Sequence, residues 1–191
     1  MNLDIESYLD RLAANVLALK ALGPEIEQAA EQLSRAMAAG DKIVFCGNGG
    51  SAADCQHLAA ELVGRFLVDR DPLPALSLTV DTSALTAIGN DYGFKDVFSR
   101  QLRAVGRRGD VLVALSTSGN SENVLEAARA AKTMGIGVVG LAGRSGGRLK
   151  GLCDVCVCVP SEETNHIQEM HIAVGHYLCG VIEQRASTRG G

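Results

Sequence analysis

Residues 111–134 read VLVALSTSGNSENVLEAARAAKTM, and this stretch decides the fold. Val111 to Leu115 is an unbroken apolar run with no polar alternation, the pattern of a strand covered on both faces. Ser116-Thr117-Ser118-Gly119-Asn120-Ser121 then breaks the run, and an Ala-rich helical stretch follows from Glu122 to about Met134. Working outward, the same alternation recurs, with strands predicted at Lys42–Cys46, Ala75–Val80, Gly137–Leu141 and Val155–Val159. Short apolar strands separated by helices imply right-handed βαβ crossovers. The expected class is therefore α/β, a doubly wound parallel sheet sandwiched by helices.

Residues 1–40 read differently. Ile5, Leu9, Leu12, Val16 and Leu19 recur at helical spacing, Gly23-Pro24 interrupts, and Ile26, Ala30, Leu33 and Met37 form a second apolar stripe ending at Gly40. This predicts an N-terminal helical pair before an α/β core over 41–184, all in one domain. The segment 185–191 (RASTRGG) has no apolar periodicity and is expected to be a frayed tail.

Composition narrows the function. Of 191 residues, 18 are Lys or Arg and 22 Asp or Glu, a net charge of −4 without a basic block, which disfavours nucleic acid as a partner. Hydrophobic residues are 47% and aromatic residues 4%, a folded Ala/Val/Leu composition. No apolar stretch approaches the roughly 18 residues of a membrane span, and the start MNLDIESYLD is acidic where a signal peptide is basic. A cytoplasmic protein is expected, with no membrane partner. The six cysteines are read as reduced and structural. Cys153-Asp154-Val155-Cys156 has CxxC spacing, but it lacks a second such pair and lies in a strand pattern, so a redox or zinc-knuckle reading is weak.

Two loops carry candidate chemistry. Gly47-Asn48-Gly49-Gly50-Ser51 follows the first strand and opens a helix expected from about Ala52 to Leu67. Ser116–Ser121 offers four hydroxyls in six residues at a helix start, where free amides and the helix dipole favour an anion. A single Ser there would be an ordinary cap; four point to a phosphate. Neither loop has the Lys of a P-loop or the GxGxxG of a dinucleotide fold, so a sugar phosphate fits better than ATP or NAD. Asn90-Asp91-Tyr92-Gly93 is a turn sequence, with Thr82-Ser83 capping a short helix before it.

His57 and Glu61 are four apart on the helix after the first loop, and Gln168 and His176 are eight apart on the last helix, with Glu169 and His171 turned away. Two His, one Glu and an amide oxygen would make a four-coordinate zinc site. From spacing alone they read equally as a helical ion pair, a core histidine and a surface amide.

Taken together, Gly47–Asp54, His57, Glu61, Gly89–Phe94, Ser116–Ser121 and Ile167-Gln168-Glu169 with His171 and His176 resemble the phosphoheptose isomerases, a family of the sugar isomerase (SIS) fold. The resemblance covers the chain up to about Glu183 and shows no departure at the motif positions. It implies interconversion of sedoheptulose 7-phosphate and D-glycero-D-manno-heptose 7-phosphate through an enediol. This is a step toward the activated heptoses of lipopolysaccharide and other surface polysaccharides. It also implies Glu61 as base and His176 as acid, and a zinc ion per subunit on His57, Glu61, Gln168 and His176. Substrate would meet Asn48, Gly49, Gly50, Glu61, Asn90, Asp91, Ser116, Thr117, Ser118, Ser121 and Gln168 in a homotetramer with shared sites. The rival class is a non-enzymatic SIS protein, a sugar-phosphate sensor or an adaptor for a replication initiator, which would lack part of the His, Glu and Gln set. Arabinose 5-phosphate isomerases share the fold, but usually with regulatory domains for which 191 residues leave no room.

Overall fold

The computed structural model describes residues 4–188. Helix α1 (Ile5–Ala18) begins at Asp4, whose carboxylate accepts the Ser7 N–H at 3.0 Å, and a 3-10 turn at Leu19–Leu22 leads into α2 (Gly23–Ala39). Pro24 sits in the first turn of α2, where its missing N–H costs nothing, and Gly40 closes the helix at φ +83°. The helical pair is present as the sequence predicts.

Five strands follow: β1 (Ile43–Cys46), β2 (Ala75–Ser77), β3 (Val111–Ser116), β4 (Gly137–Ala142) and β5 (Val155–Cys158). All pairings are parallel in the order β2-β1-β3-β4-β5, with Phe45 opposite Val113 and Leu115 opposite Leu141. Helices α3 (Gly50–Val63), α4 (Thr82–Tyr92), α5 (Val97–Val105), α6 (Glu122–Met134) and α7 (Thr164–Ser187) complete the chain. One core layer joins Leu33 of α2, Leu58 of α3 and Met170 and Leu178 of α7 to Val113 and Leu115; the other joins Phe98 and Leu102 of α5 and Leu125 of α6 to Leu112 and Ala114. Successive β3 side chains thus enter opposite layers, which is why its sequence shows no alternation.

Four boundaries differ from expectation. Helix α3 stops at Val63 rather than Leu67, because residues 64–73 leave it as a strap held to α7 by Arg70 and Glu183, 3.1 Å apart. Strand β2 ends at Ser77 rather than Val80. Asn90-Asp91-Tyr92 is the last turn of α4 rather than a loop, and the cap of that helix is Asp81, which accepts the Ala84 N–H at 2.8 Å. The expected tail is helical through Ser187, and Arg185 pairs with Glu31 of α2 at 2.7 Å; positions 189–191 lie outside the described residues.

Helices α3 and α7 run side by side in the same direction. A Cβ at Gly175 would lie 2.6 Å from Leu58, so the bare glycine lets the two backbones approach. Completely burying Leu58 there contributes about 1.5–3 kcal/mol.

All six cysteines are free. Burial pushes the thiols of Cys46 and Cys179 up to about 12, so they stay neutral packing groups.

Candidate active site

The strand order reverses between β1 and β3, and the loops leaving their carboxyl ends flank the crevice where ligands gather in such sheets. The β3 loop is tight. Gly119 adopts φ +65°, and a Cβ there would lie 2.1 Å from the Gly146 carbonyl oxygen, so the 143–149 loop closes over it without room for a side chain. Ser116 Oγ donates to Ser121 Oγ at 3.1 Å, and Ser118 Oγ accepts the Asn120 N–H at 3.1 Å. Ser121 takes the N-cap position of α6 with no side-chain cap bond, leaving its hydroxyl beside a helix start whose first amides have no partner within the helix. Hydroxyls, amides and dipole together suit a phosphate dianion.

Asn48 and Asn123 exchange amide hydrogen bonds of 2.9 and 2.8 Å and so tie the β1 loop to α6. Asn123 is 4% exposed and also accepts the Val124 N–H. Sequence reading missed it, since a lone Asn in a helix start carries no distinguishing pattern.

Between α3 and α7, His57 Nε2 lies 2.8 Å from His176 Nε2 and 3.3 Å from Glu61 Oε1. His57, Glu61 and His176 each present a ligand atom within 4.8 Å of the others, and among the described residues no other group of three His, Cys, Asp or Glu does so. Cys153 and Cys156 are not part of that group. The helix register explains the meeting, for the Leu58–Gly175 contact seats His57 against His176. Two imidazoles and a carboxylate with solvent access are a donor set suited to zinc.

Gln168 does not join them within the chain. Its amide lies over Gly50, where a Cβ would be 2.5 Å from Nε2. Gly50 precedes His57 by about 10 Å along α3, and Gln168 precedes His176 by about 12 Å along α7, at 1.5 Å per residue. Eight residues bring two side chains to roughly one face but two turns apart.

Asn90 donates to Asp91 at 2.8 Å on the exposed end of α4, and neither side chain bonds to the two loops among the described residues. Gly49, at φ +56°, precedes α3. Thr117 holds the next loop through its carbonyl, which accepts the Gly143 N–H at 3.0 Å.

His171 turns away from the site into the core, where burial pushes its pKa down to about 4 and keeps the ring neutral. Glu169 takes the Nδ1 of buried His166 at 2.7 Å and the Tyr8 hydroxyl, docking α1 on α7. Asp54, one turn before His57, has its carboxyl raised by burial, partly offset by His57.

The fold and this site define a class. The sequence profile of the SIS domain family matches residues 7–143. The phosphoheptose isomerase of Rhodospirillum rubrum is 56% identical over 180 residues, covering 94% of this chain and 96% of that one. Among solved structures, phosphoheptose isomerase from Neisseria gonorrhoeae superimposes with TM-score 0.89 at 46% identity, covering 94% of this chain and 97% of that one. That from Francisella tularensis gives 0.91 at 38% identity, covering 94% and 96%. The chain belongs to the phosphoheptose isomerase family of SIS domain proteins.

Proposed function

We propose that this chain interconverts sedoheptulose 7-phosphate and D-glycero-D-manno-heptose 7-phosphate, using Glu61 as base and His176 as acid. The observation that carries the reading is the convergence of His57, Glu61 and His176, in a chain that also has a hydroxyl-lined helix start and whose relatives are phosphoheptose isomerases. An aldose–ketose isomerase must move a proton between adjacent carbons. Glu61 removes the proton beside the carbonyl to give an enediol, and His176, held against His57, returns one to the neighbouring atom. Ser116, Thr117, Ser118 and Ser121 bind the phosphate; Asn48, held by Asn123, orients the sugar with Gly49 and Gly50. Asn90 and Asp91, at the end of α4, are assigned to sugar hydroxyls.

His57, Glu61 and His176 would also hold a zinc ion, which when bound would supply positive charge to the enediolate oxygens. A metal-bound Glu61 is a poorer base and a metal-bound His176 nitrogen has no proton to give, so the ion is bound in one state of the site and loosened in the one that transfers protons. Gln168, two turns from His176, joins that ion or the substrate from a second copy of the chain. We propose that the protein is a homotetramer, which supplies such a copy. Helices α1 and α4, which bury no residue within the chain, are its candidate contact surfaces. Among the described residues no helix is long and apolar enough to cross a membrane. We propose the cytoplasm as its setting, where phosphorylated sugars are made, and supply of heptose for lipopolysaccharide as its use.

The test is proton exchange by NMR: sedoheptulose 7-phosphate in deuterated water, with and without a zinc chelator. Deuterium at the carbon next to the carbonyl with aldose phosphate appearing supports the reading, and loss of both with chelator makes the metal necessary for turnover. A folded protein that binds the sugar phosphate without exchange is a sensor instead.

A further inference from the structure

Where α3 ends at Val63, residues 64–73 pass beneath the C-terminal half of α7 without regular structure. We propose that Glu183 and Arg70 form a buried anchor that positions Glu61 and His176 for proton transfer, acting through the strap and Phe66. The inference rests on the acid and base roles just proposed.

Glu183 lies about two turns beyond His176 on α7, with its side chain 2% exposed. Its carboxylate accepts the backbone N–H groups of Phe66 (2.9 Å), Leu67 (2.7 Å) and Val68 (3.2 Å). Arg70, 6% exposed, packs its Nε 3.1 Å from the same carboxylate. From there its Nη1 donates to the carbonyls of Leu62, Gly64 and Asp71, and its Nη2 to the carbonyl of Glu61 at 2.9 Å. Those of Glu61, Leu62 and Gly64 belong to the last turn and cap of α3, which has no basic residue of its own to satisfy them. The backbone that carries the proposed base is therefore fixed by Arg70.

The acid is reached through the strap. Fixing the Phe66 amide sets the direction of its ring, which stacks on the His176 imidazole with centroids 5.6 Å apart and planes 19° from parallel. The same ring lies over Gly180, where a Cβ would be 3.5 Å away. His176 is thus held between Phe66 on one side and His57 on the other. A buried ion pair gives no more stability than well-packed apolar residues would, because desolvation offsets its attraction. What apolar residues could not do is bind three amides of a strap with no ladder of its own together with four carbonyls of that strap and the end of α3.

The experiment measures two rates on the full chain with sedoheptulose 7-phosphate in deuterated water: deuterium uptake into the substrate and formation of the aldose phosphate. Their ratio does not depend on how much of the protein is folded. Glu183→Gln removes the charge at constant shape, and Phe66→Leu removes the stacked ring while leaving the anchor intact. Misplacing His176 is expected to cut turnover by about 10²-fold. Exchange by Glu61 falls less, so the ratio rises several-fold in Phe66→Leu and in Glu183→Gln. A wild-type ratio in Phe66→Leu overturns the inference, whether or not Glu183→Gln folds. Wild-type protein that neither exchanges nor isomerises instead sinks the enzymatic reading, and the inference with it.

Discussion

At the amino ends of the strands, Asp110 accepts the amides of Lys42 (3.0 Å) and Arg107 (2.7 Å) and the Lys42 ammonium at 2.5 Å, and Asp154 accepts the Val138 amide (2.7 Å) and the Gln32 amide (3.1 Å). At the carboxyl ends of the same sheet, Ser118 is exposed and Ser121 caps nothing, and two turns along α3 from that end two imidazole nitrogens face each other 2.8 Å apart. One end closes its polar groups on one another; the other leaves donors and acceptors for a ligand. Residues at the first end should govern stability and those at the second turnover, and each experiment below probes that division.

The largest effect is expected at Glu61. Replacing it with Gln should lower turnover by about 10²–10⁴-fold while the melting temperature stays near wild type, and retained turnover would remove it as the base. At the opposite end, Asp110→Ala leaves the Lys42 ammonium and two amides unpaired, at a cost of about 3–5 kcal/mol in denaturant unfolding. Activity per folded molecule should be unchanged there, and a lowered value would break the division. On the proposed phosphate role, Ser118→Ala should delete a hydrogen bond to a charged group worth about 1.5–3 kcal/mol, read as a higher KM at nearly constant kcat. A fall in kcat alone would contradict its phosphate role.

Gly175→Ala tests the join between the two ends. The added Cβ meets Leu58, so stability falls by about 1–3 kcal/mol and kcat falls with it as His57 and His176 part. The smallest effect is acid sensitivity. Burial works to raise the Glu183 carboxyl, but the amides of Phe66, Leu67 and Val68 with Arg70 hold it below its ordinary 4.5. Its contribution is complete above pH 4.5 and is lost as pH falls through the lowered value. The melting temperature of wild type should therefore drop more steeply below that pH than that of Glu183→Gln.

The sequence made the sheet legible because β1, β3 and β4 are covered on both faces and carry continuous apolar runs. It placed Ser116–Ser121 correctly at a helix start because loop composition is local. The end of α3 was not legible, since Arg70 and Glu183, far apart in sequence, decide it. Spacing alone did not bring His57 to His176, because their meeting depends on a glycine contact between two helices; the family resemblance did. Gln168 shows the opposite failure: angular periodicity ignores the axial rise that separates it from His176.

The sheet grows outward from β1, and this sets an order of events at the ribosome. Synthesis delivers Ile43–Cys46 early, yet its partners are Ala75–Ser77 on one side and Val111–Ala114 on the other. Until those segments emerge, both edges of a fully apolar strand lack partners, and the face of Val44 and Cys46, covered later by α5 and α6, is bare. The nascent chain is thus most exposed to aggregation and chaperone capture between the emergence of β1 and that of β3, and stalling translation in that window should recruit holdase binding that disappears once Ser116 has cleared the tunnel.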